Sequence, residues 1–277
     1  MTPSKLEIVE AFRLEALSAP VDLASLAKKW GVVSIEQQPL ESDAMLVRRR
    51  KGYSIILKQL NGVSGVTRQN FSFAHELGHL LIQKYSVSQQ FDDSTKHRLS
   101  RNRQDDEEQL CEQLAAEILM PRLAFEEDGW MEGWSINNLK ALARKYGASI
   151  PATSRRMIDL MPETGVMASW KPPLKSAAER PKLLSSYCPS SRYQPRNSVP
   201  RLRSWLITRA SGVRQVQTGF APLVDRNSGL VTPKDVPAEA WAWGHGEFNK
   251  VMVWYYPDRE LSSDQKSLSM GLTRKAV

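Results

Sequence analysis

The sequence is poor in cysteine and has no long apolar run. Only two cysteines, Cys111 and Cys188, occur among 277 residues, and they lie far apart. A framework of several disulfides is therefore excluded, and the sequence predicts a reduced, cytoplasmic protein. No segment reaches the roughly 18 consecutive apolar residues that a membrane helix needs. Residues 1–7 are charged and lack the apolar core of a signal peptide, so no membrane partner is expected.

Acidic residues are scarce only in the C-terminal part of the chain. The whole chain carries 38 Lys and Arg against 30 Asp and Glu, a formal net charge of +8. Residues 161–277 hold 17 basic and nine acidic side chains, which accounts for the whole excess. A neutral N-terminal part and a basic C-terminal part indicate two units with different partners, although a solvated basic surface explains the charge equally well.

Histidine is also rare, and two of the four histidines flank a glutamate. His75-Glu76-Leu77-Gly78-His79 is an H-E-x-x-H pattern within an apolar run. On a helix, side chains four residues apart lie on one face, so the two imidazoles can bind one Zn²⁺. Glu76 could then accept a proton from a water molecule whose pKa the metal lowers to about 7. The alternative is a pair of core histidines without a metal, which this pattern favours much less.

A second helix is expected to supply a third metal ligand, because a catalytic zinc site takes three protein ligands and leaves one position open. Residues 107–121 have helical spacing. One stripe of this helix contains Glu108, Cys111, Ala115, Ile118 and Leu119. A carboxylate on an otherwise buried stripe needs a partner, so Glu108 is the predicted ligand, with Glu112 as an alternative one turn away. Glu107 and Glu117 are expected to point elsewhere and to be solvated.

Residues 74–79 and 115–121 form a specific pair of motifs. They read Ala-His-Glu-Leu-Gly-His and Ala-Ala-Glu-Ile-Leu-Met-Pro. Together they resemble the ImmA/IrrE family of metallopeptidases, and the resemblance extends over roughly residues 1–160. In that family the third ligand is a glutamate thirteen positions before the proline, which implies Glu108 here. Leu110 departs from the pattern, because many members have an acidic residue at that position.

The predicted fold class is α/β (α+β). Residues 1–130 are expected to form a zincin-like metallopeptidase domain, with a small antiparallel sheet over an active-site helix at residues 68–83. Residues 131–165 are expected to form a helix-turn-helix-like pair, and residues 166–277 a small mixed C-terminal α/β domain. Helix pairs of this kind often do not bind DNA, so contact with DNA stays open.

Three short strands are predicted at residues 32–35, 44–48 and 53–57. Zincin-type peptidases commonly bind a peptide as an additional strand at a sheet edge, and residues 53–57 are the candidate strand for that role. Residues 84–106 and residues 171–200 are predicted to be irregular, since both are polar and the second is rich in proline and serine.

The function predicted on these grounds is that of a zinc-dependent metallo-endopeptidase. His75, His79 and Glu108 would hold Zn²⁺, with Mn²⁺ as another metal that the site could take, and Glu76 would be the catalytic base. The family resemblance implies a protein substrate, a helix-turn-helix transcriptional repressor, whose cleavage derepresses stress or mobile-element genes. The alternative is a zinc-containing binding module or toxin-type protein that binds a repressor, an antitoxin or DNA without proteolysis. Glu76 distinguishes the two, because a structural zinc site does not need a base.

Overall fold

The computed structural model describes residues 9, 20–60, 63–87, 101–172, 181–189, 192–195, 206–207, 210, 215–226, 234–243 and 250–258. The chain divides into two compact units. The first comprises residues 1–131 and 140–153, and the second comprises residues 132–139 and 154–277. The predicted mixed α/β class is confirmed, whereas the domain boundaries near residues 130 and 165 stay predictions.

The described part of the chain contains six helices and nine strands. The helices are α1 (Leu23–Lys29), α2 (Val63–Val87), α3 (Arg101–Leu119), α4 (Arg122–Glu132), α5 (Leu139–Lys145) and α6 (Ile150–Leu160). The strands are β1 (Val32–Gln38), β2 (Ala44–Arg49), β3 (Gly52–Lys58), β4 (Val166–Lys171), β5 (Lys182–Tyr187), β6 (Tyr193–Pro195), β7 (Gln217–Asp225), β8 (Lys234–Trp243) and β9 (Lys250–Tyr255). No described helix combines the length and the apolar character that crossing a membrane requires.

The first unit contains a three-stranded sheet with the order β1-β3-β2. β3 pairs parallel with β1 and antiparallel with β2, so the sheet is mixed, and the prediction of a purely antiparallel sheet is wrong. The prediction that residues 53–57 form an edge strand is also wrong, because β3 is paired on both sides. The run of four buried residues at positions 54–57 fits this central place, since an internal strand is covered on both faces.

Helices α2 and α3 pack against each other through apolar side chains. The buried apolar residues of α2 include Phe73, Ala74, Leu77, Leu80 and Leu81, and those of α3 include Leu110, Leu114, Ala115 and Ile118. Both sets recur at three- and four-residue spacing, which gives each helix one apolar face. Both helices are longer than predicted and extend into residues 84–106. The sequence did not show these extensions, because their turns are polar and have no repeat of apolar residues at helical spacing. Residues 88–100 lie outside the described part.

The junction between α3 and α4 depends on a glutamate that was expected to be solvated. Glu117 is buried, and its carboxylate accepts a hydrogen bond from the backbone amide of Arg122 at 2.9 Å. Pro121 precludes a continuous helix, and the Glu117 side chain satisfies an amide in the first turn of α4. The expectation of a solvated Glu117 is therefore wrong.

Helices α5 and α6 lie at the predicted positions and are joined by a tight turn at Gly147. This glycine has a φ of +57°, and its carbonyl accepts a hydrogen bond from Asn70 Nδ2 on α2 at 3.0 Å. The contact ties the turn to the helix that carries the H-E-x-x-H pattern. On α6, Arg156 is buried and Arg155 lies over the ring of Tyr187, so both arginines take part in packing.

The second unit is built on a six-stranded antiparallel sheet with the order β5-β4-β9-β8-β7-β6. Trp254 of β9 donates a hydrogen bond to Ser154 Oγ at 2.7 Å, while its neighbour Tyr255 accepts one from Trp170 Nε1 at 3.2 Å. Neighbouring residues of a strand face opposite sides, so the sheet is covered on both. β5 and β6 fall within residues 171–200, which were predicted to be irregular; β5 is largely exposed and lacks a buried period.

Candidate metal centre

The imidazoles of His75 and His79 lie side by side on one face of α2. Their ring centroids are 5.0 Å apart and the rings are nearly perpendicular, at 76°. Both side chains are mostly buried but keep some contact with solvent. The four-residue spacing predicts this arrangement, because it separates the two side chains by about one helical turn.

The Glu108 carboxylate of α3 faces both imidazoles. One oxygen lies 3.0 Å from His75 Nε2, and the other lies 3.6 Å from His79 Nε2. The structure thus brings two nitrogen donors and one carboxylate together, which is a donor set that zinc accepts. The Glu108 side chain is 50% exposed, so the cluster opens to solvent on this side. Glu112, the alternative ligand, is exposed on the surface of α3.

Glu107 contacts the second nitrogen of His79. Its Oε1 lies 3.1 Å from His79 Nδ1. A histidine that donates Nδ1–H to a carboxylate keeps the lone pair on Nε2, the nitrogen that faces Glu108, and is held in that orientation. The expectation that Glu107 points away from the histidines is therefore wrong, while its side chain is 42% exposed and still in contact with solvent. The adjacent acidic residues Glu107 and Glu108 were the only sequence signal for this contact. Helical spacing alone does not show that both side chains reach α2.

Replacing Glu107 with glutamine is expected to weaken zinc binding by about 10–100-fold, because the carboxylate that orients His79 is lost while the proposed ligands stay. Competition with a chromogenic chelator measures the zinc dissociation constant. The matched control is Glu112→Gln, the same change at an exposed position of α3, which should bind zinc like the parent chain. Equal affinities for both variants would contradict an orienting role for Glu107.

Glu76 is buried beside the two histidines. Its exposed fraction is 9%, and burial raises the pKa of its carboxyl group, although His79 and His75 oppose the increase. The carboxylate also interacts with the backbone amide of Leu46 in β2. A raised pKa brings a carboxylate closer to the range in which it can both accept and return a proton near neutral pH.

The edge of β2 that has no paired strand among the described residues faces this carboxylate. Lys58 N–H donates to the Asp43 carbonyl at 2.9 Å, so the odd-numbered residues of β2 bond to β3 and the Leu46 amide points away from it. Two contacts hold the sheet against α2: Arg68 Nε donates to Asp43 Oδ2 at 2.8 Å, and the Gln69 amide donates to the Lys58 carbonyl at 2.7 Å. β2, rather than residues 53–57, is therefore the edge strand beside the cluster.

A fourth donor, Cys111, lies on the buried side of the cluster. Its thiol and one nitrogen from each of His75 and His79 lie within 4.8 Å of one another. Burial, together with the charges of Glu107 and Glu108, raises the pKa of the Cys111 thiol above its usual range. Cys111 was predicted to lie on the same helix stripe as Glu108, but only as a buried packing residue.

Gly78 allows α3 to come this close. A Cβ atom at this position would lie 3.2 Å from both the Cα and the carbonyl oxygen of Cys111. Almost any side chain at position 78 would push α3 away from α2 and from the two histidines. The expectation of a close neighbour at Gly78, made from the presence of glycine inside a helix, is confirmed.

Two comparisons with known proteins found similarity, one to a protein family and one to a solved structure. Residues 42–157, which include all the residues of the cluster, match a peptidase family described as IrrE N-terminal-like domain. A solved structure, a Mycobacterium tuberculosis transcriptional regulator, is similar with a TM-score of 0.53 and 12% sequence identity, over 91% of this chain and 86% of that chain. That likeness shows the fold alone. No curated protein matches the sequence.

Proposed function

We propose that this chain is a zinc-dependent endopeptidase. Its resemblance to the ImmA/IrrE family is confirmed by the match of residues 42–157 to the IrrE N-terminal-like domain. The observation that carries the proposal is the Glu108 carboxylate, whose two oxygens face Nε2 of His75 and of His79. A buried carboxylate, Glu76, lies next to this donor set, and an open sheet edge runs beside it. A metal site, a base and a strand-binding edge are the parts that peptide hydrolysis needs.

His75, His79 and Glu108 would hold the metal. Two imidazoles and one carboxylate suit Zn²⁺, and Mn²⁺ also accepts such donors, so the residues do not select one ion. When bound, the ion would polarise the carbonyl group of a peptide and lower the pKa of a water molecule. Glu107 would hold the His79 ring in the orientation that presents Nε2.

Glu76 would act as the general base. Its carboxylate would accept a proton from the attacking water and transfer it to the amine that leaves when the peptide bond breaks. Burial suits this role, because it raises the pKa of the carboxyl group. A raised pKa eases the return of the proton in the second half of the reaction.

The free edge of β2 would align the substrate. An extended peptide that adds to this edge would bond to the outward-facing backbone groups of Ala44 and Arg48 and to the Leu46 carbonyl, since the Leu46 amide already interacts with Glu76. Because the Leu46 amide already lies at the Glu76 carboxylate, a peptide on this edge would place a bond close to the base. This strand takes the role that residues 53–57 were expected to have.

The proposed substrate is a helix-turn-helix transcriptional repressor. This part of the proposal comes from the family resemblance, in which members act on repressors that are often encoded beside them. The solved structure with a similar fold is named a transcriptional regulator, which agrees with a role in gene control. Cleavage of such a repressor would derepress stress or mobile-element genes.

Purified protein loaded with zinc should cut its repressor substrate, to be sought among helix-turn-helix proteins encoded near it, into shorter products that are visible by gel and mass spectrometry. A chelator should stop the cleavage, and added zinc should restore it, since the reaction depends on the metal. An intact repressor under every metal condition, with the two proteins forming a stable complex, would contradict the proposal.

An intact repressor in a stable complex with this chain would favour a binding module without proteolysis. The feature that supports this alternative is the basic C-terminal part, since residues 161–277 carry the whole net charge of +8. If the partner is DNA, the affinity should fall steeply as the salt concentration rises, because phosphate contacts release counterions. Binding of a repressor or antitoxin protein should instead survive the loss of Glu76.

A further inference from the structure

We propose that Cys111 is a fourth protein ligand of the metal that His75 and His79 hold. The centre then has a closed form, in which two imidazoles, the Glu108 carboxylate and the Cys111 sulfur surround the ion, and an open form without the sulfur–metal bond. This inference rests on the proposed function, since it assigns a further role at the same site.

The placement of Cys111 carries the inference. It lies one helical turn beyond Glu108 on α3, and residues three apart share a helix face. Glu108 is 50% exposed whereas Cys111 is fully buried, so one donor lies toward solvent and the other lies in the core. Donors on opposite sides of a pair of imidazoles can surround an ion rather than compete for one position.

The distances are those of a centre that closes with small side-chain rotations. The thiol and the two imidazole nitrogens lie within 4.8 Å of one another. Zn–S bonds of about 2.3 Å and Zn–N bonds of about 2.0–2.1 Å place tetrahedral donors roughly 3.5 Å apart. The remaining difference of about 1 Å is within the reach of rotations about the side-chain bonds.

The backbone brings this short side chain within reach. A cysteine extends only one atom beyond Cβ, so it reaches a metal on a neighbouring helix only where the helices cross closely. Gly78 lies between the two histidines and leaves room for the Cys111 backbone, which a Cβ atom at position 78 would approach to 3.2 Å. The two helices therefore approach each other closely at the cluster itself.

The closed form has a direct chemical consequence. Formation of the sulfur–metal bond releases the thiol proton to solvent, because the coordinating group is the thiolate. Four protein ligands complete a tetrahedral site, whereas a catalytic zinc keeps one position open. The Cys111-bound form therefore retains the metal but is inactive, and loss of the sulfur–metal bond restores the open position.

Cobalt substitution tests the inference without a substrate. The full chain is titrated with Co²⁺ in the presence of a non-thiol reductant and followed by absorption spectroscopy. We expect visible d–d bands and a near-ultraviolet sulfur-to-cobalt charge-transfer band that grow together to one equivalent and disappear when Zn²⁺ is added. The charge-transfer band should be absent from Cys111→Ala and present in the matched control Cys188→Ala.

The visible d–d bands report the metal site itself, and the charge-transfer band reports the sulfur ligand, so the two claims are tested separately. Visible bands without the charge-transfer band in the parent chain would overturn the role of Cys111 and leave the proposed metal site intact. A charge-transfer band that persists in Cys111→Ala would also overturn it. The absence of both band sets from the parent chain would contradict the metal site and the inference together.

Discussion

Replacing Glu76 with glutamine is expected to slow peptide hydrolysis by about 10²–10⁴-fold, the range that removal of a general base produces. Glutamine has nearly the same shape, and its carbonyl oxygen can still accept a hydrogen bond from the Leu46 amide. It cannot accept a proton from water. Zinc content should stay at the level of the parent chain, because Glu76 is not among the proposed ligands.

Two measurements on the same preparations check this expectation. The rate constant for cleavage of an identified substrate gives the effect on catalysis, and elemental analysis gives the zinc content. Glu112→Gln, the same change at an exposed glutamate of α3, is the matched control and should keep full activity. A Glu76→Gln protein that cleaves at the parent rate would refute the role of Glu76 as base.

Removing one of the proposed ligands should have the second large effect. Zinc sites of three or four ligands bind with about 10–16 kcal/mol, so each ligand contributes on the order of 3–4 kcal/mol. The variants His79→Ala and Glu108→Ala should therefore each bind zinc more than about 10²-fold more weakly than the parent chain. Glu112→Ala, with its side chain on the exposed surface, should not change the affinity.

Competition titrations with Zn²⁺ measure these affinities, and circular dichroism checks that each variant is folded. The Glu108 variant is the decisive one, because both Glu108 and Cys111 lie near the imidazoles. If Glu108→Ala binds zinc as tightly as the parent chain while Cys111→Ala does not, the third ligand is the thiol rather than the carboxylate.

The parts of the site that depend on local spacing could be predicted from the sequence. His75 and His79 are four residues apart on one helix, so their convergence follows from helical geometry. Gly78, an unfavourable residue in a helix interior, correctly indicated a close neighbour. The three strands of the first sheet were recognised for the same reason, since each is a short local pattern bounded by turns.

The parts that depend on how elements meet could not be predicted. Glu107 and Glu117 are acidic residues on a partly polar helix, and only the packing of α3 shows that one contacts His79 and the other caps α4. The order of strands in the first sheet is likewise a tertiary property. Residues 53–57 were predicted to be the edge strand because zincin-type peptidases commonly have a sheet edge beside the metal, whereas β3 pairs on both sides.

Exposed elements were missed because they carry little apolar pattern. β5 has one half-buried leucine, Leu183, between exposed neighbours. The strand is held by its pairing with β4, and its own residues carry no apolar alternation that predicts a strand. The first turns of α3 are polar in the same way. Sequence periodicity detects burial, so it detects an element poorly where that element buries little.

The proposed peptidase activity is best tested by co-expressing the chain with candidate helix-turn-helix repressors encoded near it. The chain is expressed as the parent protein and as Glu76→Gln, and the repressor is followed by immunoblotting. The proposed role of Glu76 predicts a shorter repressor product with the parent chain and an intact repressor with Glu76→Gln, at equal levels of the two proteins. Equal cleavage by both would contradict the role of Glu76. An intact repressor that co-purifies with both would contradict the peptidase itself.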